Sequence, residues 1–324
     1  DDVFFNEENY PADTRWYLNY ELTVQKANGD FENYSTEMLK AYFKESDSSF
    51  NLIFNSQEEA NAAIEEYKAA VMNSGDEVFG ENITLTPQPQ VSIVVEDQST
   101  GYVVAMVGGR GKKEGSRTLN RATDTKRQPG STFKIVAVYA PALDSAGLTL
   151  ATVKNDAEYN YADGRPVSNW WGSEYRGLNS LRSGIRDSMN IIAVKTLSDI
   201  TPALGFDYLL RFGFTTLVDQ QEIGGRIYSD IQQTLALGGL TKGVTNYELN
   251  AAYATIANGG TYIEPKLYSK VVDHSGNVIL DASANRQERR VLKETTAWLL
   301  TSAMQDVVTK GTGTAVNFGT RTDK

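Results

Sequence analysis

Gln128-Pro-Gly-Ser-Thr-Phe-Lys134 decides the reading of this chain, because the sequence offers almost no other route to a nucleophile. The 324 residues include no cysteine and one histidine, His274. That histidine stands in Val271-Val-Asp-His-Ser-Gly-Asn-Val-Ile279, a strand–turn–strand pattern whose turn is Ser275-Gly276-Asn277. A Ser-His-Asp triad would therefore hang on a turn residue. A serine activated by a lysine needs no histidine. Ser131 and Lys134 are three positions apart, so on a helix they share one face. Turn chemistry at Gln128-Pro129-Gly130, followed by Phe133, Val136, Ala137 and Ala140, predicts a helix here. Pro141 interrupts the pattern, and Gly147 marks where the segment has ended.

Two readings of Ser131 compete. Serine is a favoured N-cap, which is a purely structural role. The functional role uses the positive, N–H-rich start of the helix, which suits an oxyanion and lowers the pKa of a nearby amine. Burial of Lys134 beside Phe133 lowers it further, toward a neutral amine able to take the serine proton. Ser-x-x-Lys alone is a weak signal, although Ser131 starts the only copy in the chain.

Composition sets the outer bounds. Hydrophobic residues make up 40% of the chain and aromatics 10%, enough for a real core. Net charge is −10, which argues against a nucleic-acid partner. No apolar run approaches the roughly 20 residues of a membrane helix, and no signal peptide opens the sequence. Starting at Asp1, the chain reads as an excised or processed piece. One histidine, no cysteine and no spaced carboxylate cluster give metal ligation no support, and no cofactor is expected.

Residues 1–48 read as a connecting segment, with a helix near Glu37–Lys44. A strand at 50–54 follows, then a helix opened by a capping box at Ser56 and Glu59, with Ala60, Ala63, Ile64, Tyr67 and Val71 on its apolar face. Residues 84–90, with Pro87 and Pro89, read as a boundary, and 91–95 with 101–107 as a hairpin. Arg110, Lys112, Lys113, Arg117, Arg121, Lys126 and Arg127, against Glu114 and Asp124, form a basic loop in an acidic chain. Such a run usually faces solvent, and its alternative is attraction of a carboxylate- or phosphate-bearing substrate. Ser188-Met189-Asn190 is a second candidate, although Ser49, Ser275 and Ser283 also begin Ser-x-Asn. Asp187 or Ser188 can cap a helix through Ile191, Val194 and Leu197, the structural reading of the motif. In the functional one, Ser188 relays a proton between leaving group and Lys134 while Asn190 binds a peptide-like substrate. Trp170-Trp171 reads as packed under a loop rather than bordering a cleft.

Larger stretches give these motifs a setting. Gly101-Tyr-Val-Val-Ala-Met-Val-Gly-Gly109, Asn120-Arg-Ala-Thr123 and Arg127-Gln-Pro-Gly-Ser-Thr-Phe-Lys134 resemble the transpeptidases of the penicillin-binding proteins. So does the run from Asn179 to Lys195. Leu235-Ala-Leu-Gly-Gly-Leu-Thr-Lys-Gly-Val-Thr245 and Ala251-Ala-Tyr-Ala-Thr-Ile-Ala-Asn-Gly-Gly260 are similar to the bifunctional class A branch. The resemblance implies an α/β (α+β) fold with a central, mainly antiparallel sheet flanked by helices. It implies a transpeptidase domain over 49–324, Ser131 as nucleophile on D-Ala-D-Ala stem peptides, Lys134 as its activator, and Ser188 with Asn190 as the second motif. β-Lactams would trap the serine. The family's third motif, Lys-Thr/Ser-Gly-Thr, is expected beyond Lys324, on the chain's own C-terminal segment or a separate chain, and Lys310 is read as a decoy. A glycosyltransferase domain and an N-terminal anchor at the extracytoplasmic face of the membrane are the implied partners. A penicillin-sensing module, a DD-carboxypeptidase and a β-lactamase using Glu158 or Glu174 remain alternatives.

Overall fold

The computed structural model describes residues 10–317 apart from 112–114, 116 and 285, so Asp1, Lys112, Lys113, Glu114, Asn285 and Lys324 lie outside the described residues. The chain divides into two compact units, Asp1–Ser92 with Val107–Leu119, and Ile93–Met106 with Asn120–Lys324.

The first unit is built on β1 (Arg15–Gln25), where Trp16, Leu18, Tyr20, Leu22 and Val24 point alternately inward. β2 (Phe31–Ser35), β3 (Ile53–Phe54) and β4 (Glu77–Gln88) each pair with it antiparallel. α1 (Thr36–Ser46) adds Leu39 to this core, and α2 (Gln57–Val71) adds Ile64 and Tyr67. Within the stretch 1–48, expected to connect, Arg15–Ser46 thus supply two strands and a helix of a packed unit. Ser56 does accept the Glu59 N–H at 3.1 Å, but the Glu59 carboxylate reaches back to Asn55 N at 3.0 Å, so the box closes one residue early. Residues 84–88 continue as strand, with Pro87 opposite Trp16.

In the second unit the strands come in pairs. β5 (Ile93–Glu96) joins β6 (Val103–Val107), matching the expected hairpin. β7 (Val153–Asp156) pairs antiparallel with β8 (Gly177–Ser180), and β9 (Gln221–Ile223) with β10 (Arg226–Tyr228). β11 (Thr261–Ile263) pairs with β14 (Glu288–Arg290), and β12 (Lys270–Val272) with β13 (Val278–Asp281), again antiparallel. Mixed helices with antiparallel strands are the α/β class expected. His274 sits in the β12–β13 turn, where Asp273 accepts from Ser275 N and Asn277 N at 2.9 and 2.8 Å.

Helices form the core of this unit: α3 (Ala140–Asp144), α4 (Leu181–Arg186), α5 (Asn190–Ile200), α6 (Pro202–Arg211), α7 (Asn246–Ala257) and α8 (Glu294–Lys310). Val136, Ile192, Leu209, Ala252 and Leu300 are among its buried side chains. The segment carrying Ser131 is not the single α-helix expected. A 3₁₀ turn at Gly130–Thr132 leads into a π-helix at Lys134–Tyr139 and then α3. Pro141 does not interrupt anything, because it falls in the first turn of α3, where a missing N–H costs no intrahelical bond.

Candidate active site

Lys134 is 2% exposed, with its side chain threaded through the core of the second unit. Its ammonium end meets three oxygens: Ser188 O at 2.7 Å, Ser188 Oγ at 3.0 Å and Asn190 Oδ1 at 2.6 Å. The sequence candidates Lys134, Ser188 and Asn190 thus form one hydrogen-bonded group. Burial disfavours the charged amine and draws its pKa from 10.5 to about 7, even with three acceptors around it. Ser131 is exposed on the preceding 3₁₀ turn, and among the described residues its hydroxyl makes no hydrogen bond, to Lys134 or to any other group.

Two features turn Ser188 toward the lysine. Its backbone is left-handed at φ 51°, a conformation costing a non-glycine residue about 1–2 kcal/mol. It also does not cap α5, and neither does Asp187. The N-cap is Met189, which offers no side-chain bond. The free N–H groups of Asn190 and Ile191 instead donate to Asn169 Oδ1 at 2.9 and 3.3 Å. With its hydroxyl spared from capping, Ser188 presents both oxygens to Lys134.

Asn169 and Asp156 are the positions sequence reasoning missed. Asn169 Nδ2 donates to Asp156 Oδ1 at 2.8 Å, and the Arg176 N–H donates to Asp156 Oδ2 at 2.8 Å. Both side chains are buried. Asn190 Nδ2 donates to Ser168 O at 2.8 Å, leaving one amide hydrogen for a ligand. The available signal was Ser168-Asn169, overlooked beside the tryptophans that follow. Trp170 is 62% exposed rather than packed under a loop, because its Nε1 is tied to Asp187 O at 2.9 Å on the surface.

The stretch carrying Ser131 is clamped from several sides. Arg127 and Val244 exchange backbone hydrogen bonds at 2.9 Å, and the Gln128 amide brackets Leu240, accepting from its N–H at 2.7 Å and donating to its carbonyl at 2.6 Å. Phe133 packs edge-to-face on Phe214, and Tyr253 OH donates to Thr132 O at 2.7 Å. Gly238 lies against Gly130, where an added Cβ would stand 2.5 Å from Gly130 O and 2.6 Å from its N.

The remaining sequence candidates lie apart from this group. Lys310 ends α8, paired with Asp306 at 3.2 Å, so it is on a helix and not on a strand. Glu158 and Glu174 are exposed, and among the described residues neither carboxylate bonds to Lys134, Ser188 or Asn190. Arg110 donates to Thr14 Oγ1 at 3.4 Å in the first unit. A buried, readily neutral amine touching a hydroxyl, one helical turn from an exposed serine, can move a proton away from an attacking oxygen and return it to a leaving group.

Known proteins are similar to this chain in sequence and in fold. A family model described as the penicillin binding protein transpeptidase domain matches residues 91–322. Penicillin-binding protein 1F of Bacillus subtilis is 37% identical over 227 residues, covering 70% of this chain and 29% of that protein. Penicillin-binding protein 1A of Streptococcus pneumoniae is 34% identical over 228 residues, covering 69% of this chain and 30% of its own length. The chain thus spans under a third of these relatives. Among solved structures, PonA1 of Mycobacterium tuberculosis in complex with penicillin V superposes with a TM-score of 0.57 at 23% identity, over 68% of this chain and 58% of that one. Penicillin-binding protein 1A of Haemophilus influenzae gives 0.59 at 22% identity, over 93% and 47%.

Proposed function

The chain belongs to the penicillin-binding protein transpeptidase family, and from that premise we propose that it is a serine-type peptidoglycan DD-transpeptidase acting through Ser131. The observation that carries this reading is the buried Lys134 amine, bonded to Ser188 Oγ and Asn190 Oδ1 beside an exposed serine.

Ser131 Oγ attacks the carbonyl of the penultimate D-Ala of a stem peptide and passes its proton to the neutral Lys134 amine. The Ser131 N–H supplies one donor to the oxyanion. The peptide C–N bond breaks as Ser188 hands the proton from Lys134 to the departing D-Ala nitrogen. An amine of a second stem peptide then attacks the ester and gives a proton to the neutral Lys134, the C–O bond breaks as the new amide forms, and that proton returns to Ser131 Oγ. The remaining Asn190 amide hydrogen serves the substrate backbone. The same proposal covers β-lactam acylation of Ser131, a transpeptidase domain over the matched residues 91–322 rather than from residue 49, since 49–92 pack with the first unit, with its third motif beyond Lys324, and a setting at the extracytoplasmic face of the membrane beside a glycosyltransferase domain. Among the described residues no helix is long and apolar enough to cross a membrane.

Intact-protein mass after incubation with benzylpenicillin, followed by peptide mapping, tests this reading. A single adduct on the peptide holding Ser131, absent from Ser131→Ala, is expected. An adduct elsewhere, or none on this chain and none on one extended past Lys324, would overturn it.

A further inference from the structure

The second unit holds a cavity of about 510 Å³ that includes none of Ser131, Lys134, Ser188 or Asn190. It lies between the loop before the nucleophile stretch, the turn after α6, the first turns of α7 and the end of β11. Its acidic lining is already engaged. Glu248 accepts four hydrogen bonds, from Thr215 N and Oγ1 at 2.9 and 2.6 Å and from Thr245 N and Oγ1 at 3.2 and 3.0 Å. Glu264 is paired with Lys266 at 2.6 Å, and Tyr247 OH donates to Pro265 O at 2.8 Å.

Two lining groups have no such engagement. Lys126 and Lys242 are exposed at this cavity, and among the described residues neither has an ion-pair or side-chain hydrogen-bond partner. They come from segments far apart in sequence, held together by the Arg127–Val244 backbone pair. Leu217, Ala251 and the ring of Tyr262 give the cavity apolar wall. Tyr262 is fixed there because position 213 is glycine, where a Cβ would meet its ring at 2.8 Å. The basic loop singled out in the sequence therefore places one of its lysines at a cavity and not only in solvent.

Cavities of roughly 300–1,000 Å³ hold small ligands, so this one fits a few residues of peptide. Two ammonium groups attract an anion, and the Glu248 charge in the same wall disfavours a dianion relative to a monoanion. The first turn of α7, the usual seat for phosphate, is filled by the Thr245–Glu248 capping box. We propose that this cavity is a second binding site, distinct from the serine site, for the free carboxylate of a short peptide. Its occupant would bridge the two segments that clamp the nucleophile stretch.

Calorimetric titration of the chain with acetyl-Ala-Ala-Ala as the free acid, as its C-terminal amide, and with inorganic phosphate tests this. The acid is expected to bind, the amide about tenfold more weakly, and the Lys126→Gln/Lys242→Gln double variant about tenfold more weakly than the parent. Lys134→Met should bind the acid like the parent. No binding of the acid, equal binding of the amide, tighter binding of phosphate, or loss in Lys134→Met but not in the double variant would each overturn the inference. Penicillin labelling of the double variant reports on Ser131 separately, so failure of this site and failure of the serine reading are distinguishable.

Discussion

Lys134 keeps its proton to about pH 10.5 when exposed and gives it up near 7 in the fold. Between those values the unfolded chain binds the extra proton, so stability should rise with pH across that window and burial of the charge should be felt below it. In the proposed mechanism acylation needs the neutral amine. The second-order rate with benzylpenicillin should therefore climb about tenfold per pH unit below about 7 and level off above it; a rate flat from pH 5 to 8 would count against Lys134 as base. Lys134→Arg, charged at every pH, should lose roughly 10²–10⁴ in that rate. Asn169→Ala strips the cap of α5 and one support of Asn190, and should cost about 1 kcal/mol in urea unfolding along with slower acylation. The fold brings Lys134, Ser188 and Asn190 together; Ser131 and Lys134 were legible as candidates from Ser-x-x-Lys in a chain without cysteine, and Ser188 and Asn190 through the family resemblance. Asn169 and Asp156 were not, since their partners lie 13 to 22 positions away and only the fold brings them together.

At the level of elements, the π-helix at Lys134–Tyr139 was the least readable feature. All six of its residues are buried, so the segment has no apolar period from which the pitch could be read, and the sequence predicts a helix without it. Gly205 lets α6 approach Ala137 so closely that a Cβ would stand 2.5 Å from its carbonyl oxygen. Gly205→Ala should cost about 2–3 kcal/mol by thermal or urea unfolding, with acylation weakened as the segment shifts. Tyr139 OH is buried with no hydrogen-bond partner among the described residues. Tyr139→Phe should raise stability by about 1 kcal/mol and leave acylation unchanged; a destabilised variant would mean the hydroxyl has a partner. β1 was legible in principle, since Trp16, Leu18, Tyr20, Leu22 and Val24 alternate with outward residues, but Tyr17 puts an aromatic on the outward face and blurs the start of the period.

Over the whole molecule, the family resemblance reached the second unit, where motifs stand close to distinctive glycines, and left the first unit without a name for its fold. Each unit has an apolar core of its own, and Ser131, Lys134, Ser188 and Asn190 belong to the second. Leu22→Ala, in the first, should cost about 3 kcal/mol of that unit's stability while changing the acylation rate of the folded protein less than about twofold. The closure of Gly238 on Gly130 carries a further consequence, for lineages rather than molecules. Every substitution of Gly238 adds at least a Cβ, and with it a push on the backbone that holds Ser131. Under the role proposed for Ser131, selection by an antibiotic aimed at it has no gradual path through this position. Escape must begin at sites where the backbone leaves room, and sequence drift among descendants should skirt this pair of glycines as a fixed point.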